Sequence, residues 1–551
     1  MTSIKAGIIH YNWGMALDPK DWMKARQATP EKTEIALKVL EEVRQGEEVF
    51  KAIRRYPLSG DAGYISKHIL VATYNQLVKA GELVEDPALL ARIRMKPMRT
   101  LSGVTTVTVL TGPHTCPGQC IFCPTDERMP KSYLPDEPGG ARAFQNNFDP
   151  YEQVRSRIES YKAVGHPTDK IELLILGGTW SVYPHAYQEA FVKGCLDAMN
   201  GVVSATLEEA QLLNETTAHR NVGMVIETRP DQITPQEIAW MRRLGVTKVQ
   251  LGAQSLDDEI LRLNMRGHDT AALLKAVTLL RAGGFKLVLH WMPNLLGATP
   301  DSDRADFARL WQGFCPDELK IYPTQLMETA ELYRYWQRGE YHPYSTEELV
   351  ALIADLKPGV PQYCRINRII RDFSSEHVVA GNKRTSLRMD VLAEVKRRGQ
   401  RCSCIRCREI RGQDVEADSL VLDDLVYHAS AAEEHFLQFR TVDDQLAGYL
   451  RLSLPENDPY DVLGLEDLRG AAIIREVHIY GQSLPVGGGQ DGAAQHAGLG
   501  TRLITRAEEI ARSHGYQRLA VISAIGTRRY YRDRGFTEGS LYLFKLLLDP
   551  D

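Results

Sequence analysis

The chain has 551 residues, of which 43% are hydrophobic and 25% charged, and its formal net charge is -5 at pH 7. The length suits two or three domains, and the composition excludes a disordered chain, a collagen and a coiled-coil rod. The sequence shows neither an apolar run long enough to span a bilayer nor an N-terminal secretion signal, so we expect a cytoplasmic protein without a membrane anchor. Nine cysteines in such a chain favour metal or redox chemistry over a disulfide framework.

Residues 1–95 are predicted to form a helical, partly basic region. Ile35, Val39 and Val43 recur at helical spacing. Residues 1–100 hold 16 Lys and Arg residues against 12 Asp and Glu residues, and they contain no catalytic grouping.

Residues 96–360 are predicted to form a full or partial α/β barrel. Six apolar, strand-like runs alternate with amphipathic helices, and they lie at 105–111, 171–179, 222–230, 246–255, 286–295 and 318–326. Apolar strands separated by helices indicate a parallel sheet covered by helices. The active site of such a barrel lies at the carboxyl ends of its strands.

Two further regions follow the barrel. After a helix that begins with the capping-box pair Ser345 and Glu348, a basic linker is predicted over residues 361–411. Residues 362–411 hold 13 Lys and Arg residues against 5 Asp and Glu residues, which is typical of a polyanion-binding face, although a solvated basic helix is the alternative. Residues 412–551 are strand-rich with one strong helix, which predicts a separate α+β domain.

Cys116, Cys120 and Cys123 form a C-x3-C-x2-C run directly after the first predicted strand. Three thiolates are one too few for a closed tetrahedral site or for the four irons of a cubane cluster, so one iron of a 4Fe-4S cluster would stay open to S-adenosylmethionine. A zinc knuckle completed by His114 is the alternative.

This order of elements resembles the radical SAM superfamily. Gly177, Gly178 and Thr179 end the second predicted strand, where that family usually has Gly-Gly-Glu, and the Thr is a departure from the pattern. The resemblance implies that S-adenosylmethionine is contacted by residues at the ends of the second, third and fourth strands, namely Gly177, Gly178, Thr179, Glu227, Gln254 and Ser255.

A glycine-containing loop before the strong C-terminal helix predicts an anion site at the positive end of that helix. Its residues are Gln495, His496, Ala497, Gly498, Leu499 and Gly500. With the surrounding strands, residues from about Leu420 to Asp549 resemble the GNAT acetyltransferases. That resemblance implies acetyl-CoA binding and assigns to Tyr530 or Tyr531 the phenol that donates a proton to the departing CoA sulfur.

Cys402, Cys404 and Cys407 lie close together in the predicted linker, with Cys364 upstream. Four thiolates suit a closed, structural zinc site, so residues 361–411 are predicted to bind zinc. His377 in place of Cys364, and free thiols in a linker, are the alternatives.

A radical SAM barrel joined to a GNAT domain resembles the catalytic subunits of Elongator, a family of tRNA uridine acetyltransferases. The resemblance implies that a deoxyadenosyl radical abstracts hydrogen from the methyl group of acetyl-CoA, that the carbon radical adds to carbon 5 of the wobble uridine, and that hydrolysis releases CoA. The acceptor is then a carbon atom, so a general base is dispensable and Glu476 and His478 are predicted to be structural.

The implied partners are tRNA and acetyl-CoA, and nothing in the sequence requires partner subunits. Residues 1–95 and the basic linker are predicted to contact tRNA, and Tyr363 in that linker favours a nucleic-acid substrate. The predicted tRNA contacts are Arg365, Arg368, Arg371, Lys396, Arg397 and Arg398.

Two other functions fit parts of this pattern. One is a protein-lysine acetyltransferase whose barrel is only a scaffold for the cofactor. The other is a tRNA-binding module that has lost its chemistry, and the intact run Cys116, Cys120 and Cys123 argues against it.

Overall fold

The computed structural model describes residues 28–59, 63–97, 100–411, 415–480 and 498–547. These residues divide into two compact units. The first contains the described residues up to 97 together with residues 159–166, and the second contains residues 100–158 and the described residues from 167 onward. Within these ranges no helix is both long enough and apolar enough to cross a bilayer.

The first unit is built from helices, in agreement with the apolar periodicity of its sequence. The helices are α1 (Pro30–Arg44), α2 (Val49–Arg54), α3 (Lys67–Ala80) and α4 (Pro87–Ile93). Thr29 caps α1 by accepting a hydrogen bond from the Lys32 backbone, and Asp86 caps α4 in the same way. The apolar faces of α1 and α3 form one core that includes Val39 and Leu70.

The second unit begins with a parallel sheet of seven strands that pair in chain order. The strands are β1 (Thr105–Leu110), β2 (Lys170–Leu176), β3 (Arg220–Thr228), β4 (Lys248–Gln254), β5 (Lys286–Trp291), β6 (Glu318–Ile321) and β7 (Arg365–Ile369). In the part of the chain that the structure describes, β1 and β7 do not pair, so the sheet is a partial barrel.

The seventh strand corrects the prediction that residues 361–411 are a linker throughout. Arg365–Ile369 pairs with β6 and completes the barrel sheet. Its sequence, RINRI, contains three polar residues among two isoleucines, so it lacks the continuous apolar character that identified the other strands.

Helices connect the barrel strands, and two more follow β7. They are α5 (Pro138–Gln145), α6 (Pro150–Lys162), α7 (His185–Asn200), α8 (Leu207–Asn214), α9 (Pro235–Leu244), α10 (Asp258–Leu263), α11 (Thr270–Ala282), α12 (Pro300–Arg309), α13 (Leu332–Gln337), α14 (Thr346–Leu356), α15 (Leu387–Arg397) and α16 (Ile405–Arg408). The predicted capping box is present at α14, where Ser345 and Glu348 exchange hydrogen bonds.

A second seven-stranded sheet follows, in the order β13-β14-β12-β11-β10-β9-β8. Its strands are β8 (Val421–His428), β9 (Ala432–Arg440), β10 (Leu446–Pro455), β11 (Ala471–Ile479), β12 (Arg518–Val521), β13 (Thr537–Glu538) and β14 (Leu543–Leu546), and its helices are α17 (Pro459–Leu463), α18 (Leu499–Ser513) and α19 (Arg528–Arg532). β11 and β12 are parallel and pair only as far as Ile474 and Val521, so the rest of β11 diverges from β12.

The amino ends of the barrel strands contact the second sheet through buried ion pairs. Arg475 on β11 binds Asp317, which directly precedes β6, and Glu434 on β9 at 2.7 Å. Arg475 also donates to the carbonyl oxygen of Phe285 before β5, at 3.0 Å. Because an unpaired buried charge is strongly destabilising, these contacts hold the two sheets together as one unit.

Candidate active site

Cys120 and Cys123 lie together in residues 112–124, which follow β1 and are called the cluster loop below. Their thiols are hydrogen-bonded to each other, and Arg266 Nη1 lies 3.6 Å from Cys120 Sγ. The hydrogen bond from Cys123 and the charge of Arg266 outweigh the opposing effect of burial and together lower the pKa of Cys120 to about 5. A thiolate is the form of cysteine that binds a metal.

Cys116 contacts the loop that follows β2. Its sulfur lies 3.7 Å from Thr179 Oγ1 and accepts a hydrogen bond from the Gly118 backbone at 3.4 Å. A Cβ atom on Gly177 would lie 1.8 Å from Thr111 Oγ1, so only glycine allows this close approach. The structure thus brings the Gly177, Gly178 and Thr179 segment to the cluster loop.

Three buried polar atoms beside the cluster loop have no hydrogen-bond partner within the described residues. They are Arg229 Nη1, Arg266 Nε and Gln254 Oε1. A Cβ atom on Gly118 would lie 2.4 Å from Arg229 Nη1, which places this guanidinium against the loop. Gln254 has a φ of 70°, an uncommon value for a residue with a side chain and one that occurs at ligand sites.

These unpaired atoms fit S-adenosylmethionine. Guanidinium groups donate hydrogen bonds and an amide oxygen accepts them, and the cofactor carries a carboxylate and an amine. A buried polar group without a partner costs about 1–3 kcal/mol, which a bound cofactor would offset. Arg229 and Arg266 were not among the predicted site residues, although both follow barrel strands in the sequence.

Glu227 lies in the site at the carboxyl end of β3. Its carboxylate accepts a hydrogen bond from the Tyr133 hydroxyl at 2.7 Å and lies 3.6 Å from His290 Nδ1. Burial lowers the pKa of His290 well below its usual value, so this imidazole is neutral at pH 7.

The prediction that Ser255 contacts the cofactor is corrected by the structure. Its hydroxyl donates to Asp306 Oδ2 at 3.1 Å and is buried there.

The inner face of the barrel is polar, which the sequence analysis missed. Near the amino ends of the strands, Glu318 accepts hydrogen bonds from Lys248 at 3.4 Å and pairs with Lys286 at 2.7 Å. One layer further along, His290 contacts Gln250 at 3.0 Å. The strands alternate polar and apolar residues, as in Lys-Val-Gln-Leu-Gly of β4, and this period of two was the available signal.

The amino end of α18 lies against Tyr530. Gly498 is the N-cap with a φ of 69°, and a Cβ atom on Gly500 would lie 2.5 Å from the Tyr530 hydroxyl oxygen. Burial raises the pKa of Tyr530, so the phenol keeps its proton at neutral pH. Leu499 is buried in the domain core. The predicted residues Gln495, His496 and Ala497 lie outside the described part of the chain.

Tyr531 has a different position from Tyr530. Its ring is buried and lies edge-on to Phe536, with 5.6 Å between ring centroids. Of the two predicted tyrosines, Tyr530 is therefore the one whose hydroxyl reaches the amino end of α18.

Glu476 and His478 lie on β11 where it diverges from β12. Burial raises the pKa of Glu476, but Lys286 and Arg451 outweigh that effect and hold it at about 2. Burial lowers the pKa of His478 to about 4. Glu476 also accepts a hydrogen bond from Tyr449 at 2.9 Å, so its carboxylate is engaged on all sides and cannot easily take a proton.

The ligand atoms of Cys402, Cys404 and Cys407 all lie within 4.8 Å of one another. Lys357, which is fully buried, points its ammonium group at this cluster and lies 3.6 Å from Cys407 Sγ. Cys364 is not in the group, and its backbone carbonyl instead accepts from Ile405 at 2.9 Å.

The two histidines named from the sequence as alternative zinc ligands lie in neither group of potential metal ligands among the described residues. His377 Nε2 is 2.7 Å from Asp136 Oδ2. His114 Nε2 lies 3.2 Å from the Val182 carbonyl oxygen.

Two of the predicted tRNA contacts are internal, and the structure corrects them. Arg365 pairs with Glu409 at 2.6 Å, and Arg371 pairs with Glu137 at 3.2 Å and donates to Ser132. Tyr363 is also buried, and its ring is stacked on another tyrosine. The sequence reveals the charge of these arginines but not the carboxylates that the fold brings to them.

The other predicted tRNA contacts lie at the surface. Arg368 is half-exposed beside Asp372, and Lys396 and Arg397 are exposed at the end of α15. Arg397 and Arg398 both pair with Glu394, which leaves Lys396 as the residue of this run without a neutralising partner in the described hydrogen bonds and ion pairs.

Comparison with known proteins agrees with this geometry. The chain matches the radical SAM superfamily over residues 111–310, the radical SAM C-terminal domain over 316–399 and the GNAT acetyltransferase family over 405–536. It is 43% identical to the tRNA uridine(34) acetyltransferase of Dehalococcoides mccartyi over 458 residues, which is 82% of this chain and 99% of that protein. The chain belongs to the tRNA uridine(34) acetyltransferase family. This family includes Elongator complex protein 3, and the human protein is 35% identical over 83% of this chain and 87% of its own length.

The solved structure of Elp3 from Methanocaldococcus infernus, with residues 1–46 deleted, is similar to this structure. The TM-score is 0.71 and the sequence identity 37%, and the match covers 81% of this chain and 99% of that one. The predicted fold, a radical SAM partial barrel followed by a GNAT domain, is confirmed. The radical SAM domain implies a 4Fe-4S cluster and S-adenosylmethionine. Acetyl-CoA fits the GNAT domain.

Proposed function

We propose that this protein adds a carboxymethyl group to carbon 5 of the wobble uridine in cytoplasmic tRNA, with acetyl-CoA as the two-carbon donor. The observation that carries the proposal is that one compact unit contains both the three-cysteine cluster loop and an acetyltransferase-type helix end beside Tyr530. Relatives that span the same two domains are named tRNA uridine(34) acetyltransferases.

A 4Fe-4S cluster with S-adenosylmethionine supplies one-electron chemistry when bound. Cys116, Cys120 and Cys123 would hold the cluster, and the charge of Arg266 favours the thiolate form of Cys120. Arg229 and the Gln254 amide would orient the polar end of S-adenosylmethionine, because their buried atoms need partners.

On the acetyltransferase side, Tyr530 holds the proton that the CoA sulfur needs when the thioester opens. Its hydroxyl is next to Gly500 at the amino end of α18, where backbone N–H groups favour a phosphate. Glu476 stays ionised because Lys286 and Arg451 surround it, which supports a structural role for it.

The two sites lie at opposite ends of the barrel. The cluster loop follows the carboxyl end of β1, whereas Glu476 contacts Lys286 at the amino end of β5. Six or seven strand residues at about 3.3 Å each separate these ends by about 20 Å. An acetyl group therefore reaches the radical site only after a change in position, which we propose tRNA binding brings about.

We further propose a structural zinc ion bound by Cys402, Cys404 and Cys407. Three thiolates and Zn²⁺ carry a net charge of about -1, which the buried Lys357 ammonium neutralises. A water molecule, rather than Cys364 or His377, would complete the coordination.

For tRNA, we propose that the exposed basic residues of the 361–411 stretch contact phosphates, with Arg368 and Lys396 as the main contributors. Residues 1–95 are proposed to contact tRNA as well. Lysine and arginine contacts with phosphate supply affinity that does not depend on base sequence.

The test is the release of CoA from acetyl-CoA, followed with a free-thiol reagent in the presence and absence of tRNA. We expect slow release without tRNA and a marked increase with it, because the substrate completes the site. Equal release in both conditions, together with acetylation of a lysine peptide, would contradict the proposal and favour a protein acetyltransferase.

A further inference from the structure

We propose that Glu433, His435 and His514 form a binding site for a divalent metal cation of the zinc class. This site is separate from the group Cys402, Cys404 and Cys407. The ligand atoms of these residues all lie within 4.8 Å of one another. Among the described residues, two groups of potential metal ligands meet this criterion, this one and the group Cys402, Cys404 and Cys407.

The distances suit tetrahedral coordination. Glu433 Oε1 lies 3.2 Å from His435 Nε2 and 3.4 Å from His514 Nε2. Zinc binds imidazole nitrogen and carboxylate oxygen at about 2.0–2.1 Å, and two ligands at that distance in a tetrahedron are about 3.4 Å apart. Two histidines and one glutamate form a ligand set that zinc proteins use.

Both imidazole rings are oriented through their other nitrogen. His435 Nδ1 is 2.9 Å from the carboxylate of Asp424, and His514 Nδ1 is 2.9 Å from the carbonyl oxygen of Ile510. Carboxylates and carbonyl oxygens accept hydrogen bonds, so each Nδ1 is a donor, and this contact turns the Nε2 of each ring toward Glu433. This is the support that metal-binding histidines usually have.

The group converges on one carboxylate oxygen. The Nε2 atoms of His435 and His514 both approach Glu433 Oε1, so three atoms able to bind a cation face the same point. A third imidazole, that of the exposed His428, lies nearby, with Nε2 3.9 Å from Glu433 Oε2.

The site would fasten two elements of the acetyltransferase domain. Glu433 and His435 are two residues apart on β9 and share one face, while His514 is the C-cap of α18. The 15 residues of α18 span about 22 Å, so the metal lies far from the helix end where acetyl-CoA is expected. A structural role follows.

The experiment measures the zinc content of the full-length protein after equilibration with Zn²⁺ and removal of the excess. With the cysteine site also filled, we expect about two zinc ions per chain in the wild type and about one in His514→Ala and in Glu433→Gln. His342→Ala changes an exposed histidine outside the cluster and should keep both ions.

A second measurement uses thermal unfolding with and without added Zn²⁺. We expect the metal to raise the melting temperature of the wild type and of His342→Ala by more than that of His514→Ala, which keeps only the cysteine site, since each ion bound to the folded state stabilises it. Equal zinc content in the wild type and His514→Ala would overturn the proposal and identify the cluster as protonated imidazoles paired with Glu433. A Cys404→Ala and Cys407→Ala variant should keep about one zinc ion per chain, and zinc-free protein there would also overturn the proposal.

Discussion

Lys286 connects the barrel to the acetyltransferase sheet, and replacing it with methionine tests that connection. Its ammonium group pairs with Glu318 at 2.7 Å and with Glu476, and all three side chains are nearly buried. In Lys286→Met, Glu318 keeps Lys248 and Glu476 keeps Arg451 as remaining cations. We therefore expect a loss of about 3 kcal/mol, the lower end of the range for breaking a buried ion pair.

The pKa of Glu476 reflects the combined effect of Lys286 and Arg451 and sets an upper limit on what Lys286 contributes through this carboxylate. A carboxyl group with an ordinary pKa of about 4.3 that is held at about 2, as Glu476 is, contributes about 3 kcal/mol of stability at neutral pH. This contribution is present above pH 4.3 and is lost as the pH falls toward 2. In Lys286→Met, the pKa of Glu476 rises and the loss begins at a higher pH.

The assay is hydrogen–deuterium exchange of the peptides that cover β11, because the unfolding of a multidomain chain does not give one free energy. About 3 kcal/mol corresponds to exchange that is about 100-fold faster. Lys38→Met removes an exposed ion pair with Glu34 and should leave the exchange of β11 unchanged. Unchanged β11 exchange in Lys286→Met would refute the reasoning.

Three further predictions address the sites. Replacing the three cysteines of the cluster loop with serine should abolish the visible absorption of the iron–sulfur cluster and the cleavage of S-adenosylmethionine, while elemental analysis finds as much zinc as in the wild type, and about one zinc ion per chain less when Cys404 is also replaced. Tyr530→Phe should lower tRNA-stimulated CoA release at least 10-fold with tRNA affinity unchanged, whereas Tyr531→Phe should mainly lower the melting temperature, because its ring is in the core. Lys396→Glu should weaken tRNA binding and reduce its salt dependence by about one phosphate contact, as binding titrations at two salt concentrations will show. Arg365→Gln should instead destabilise the fold, as thermal unfolding will show, because Arg365 pairs with Glu409.

The repeating strand and helix pattern was predictable because local signals agree with the fold. The helices α9 and α11 lie between strands, where the alternating pattern predicts amphipathic helices. Thr234 and Asp269 cap their amino ends, and Gly245 ends α9 with a φ of 95°. Such signals lie within a few residues of the boundary that they set.

The cysteine positions were predictable for a similar reason, but the basic surface was not. The spacing of Cys402, Cys404 and Cys407 already restricts how far apart their thiols lie, and the structure brings them together. Arg365 belongs to the same basic stretch, yet it is paired with Glu409 at the far end of that stretch, which the fold brings back to it. Long-range pairing of this kind leaves no local trace in the sequence.

The inner face of the barrel shows what a search for apolar runs misses. Lys286 and His290 lie in β5 among leucine, valine and tryptophan, so the run is apolar overall. Only the alternation of residue types indicates that one face of the strand is polar. Which charges meet there, such as Lys286 with Glu318, depends on the register between neighbouring strands.

Mass spectrometry of the wobble nucleosides of tRNA tests the central claim most directly. Reconstituted protein is incubated with tRNA, S-adenosylmethionine, a reductant and acetyl-CoA labelled with carbon-13 in both acetyl carbons. The account predicts a uridine at the wobble position that carries both labelled carbons as a carboxymethyl group, and no such product from Cys120→Ser. Unmodified wobble uridine with the intact, cluster-containing protein, or label found only on lysine side chains, would contradict it.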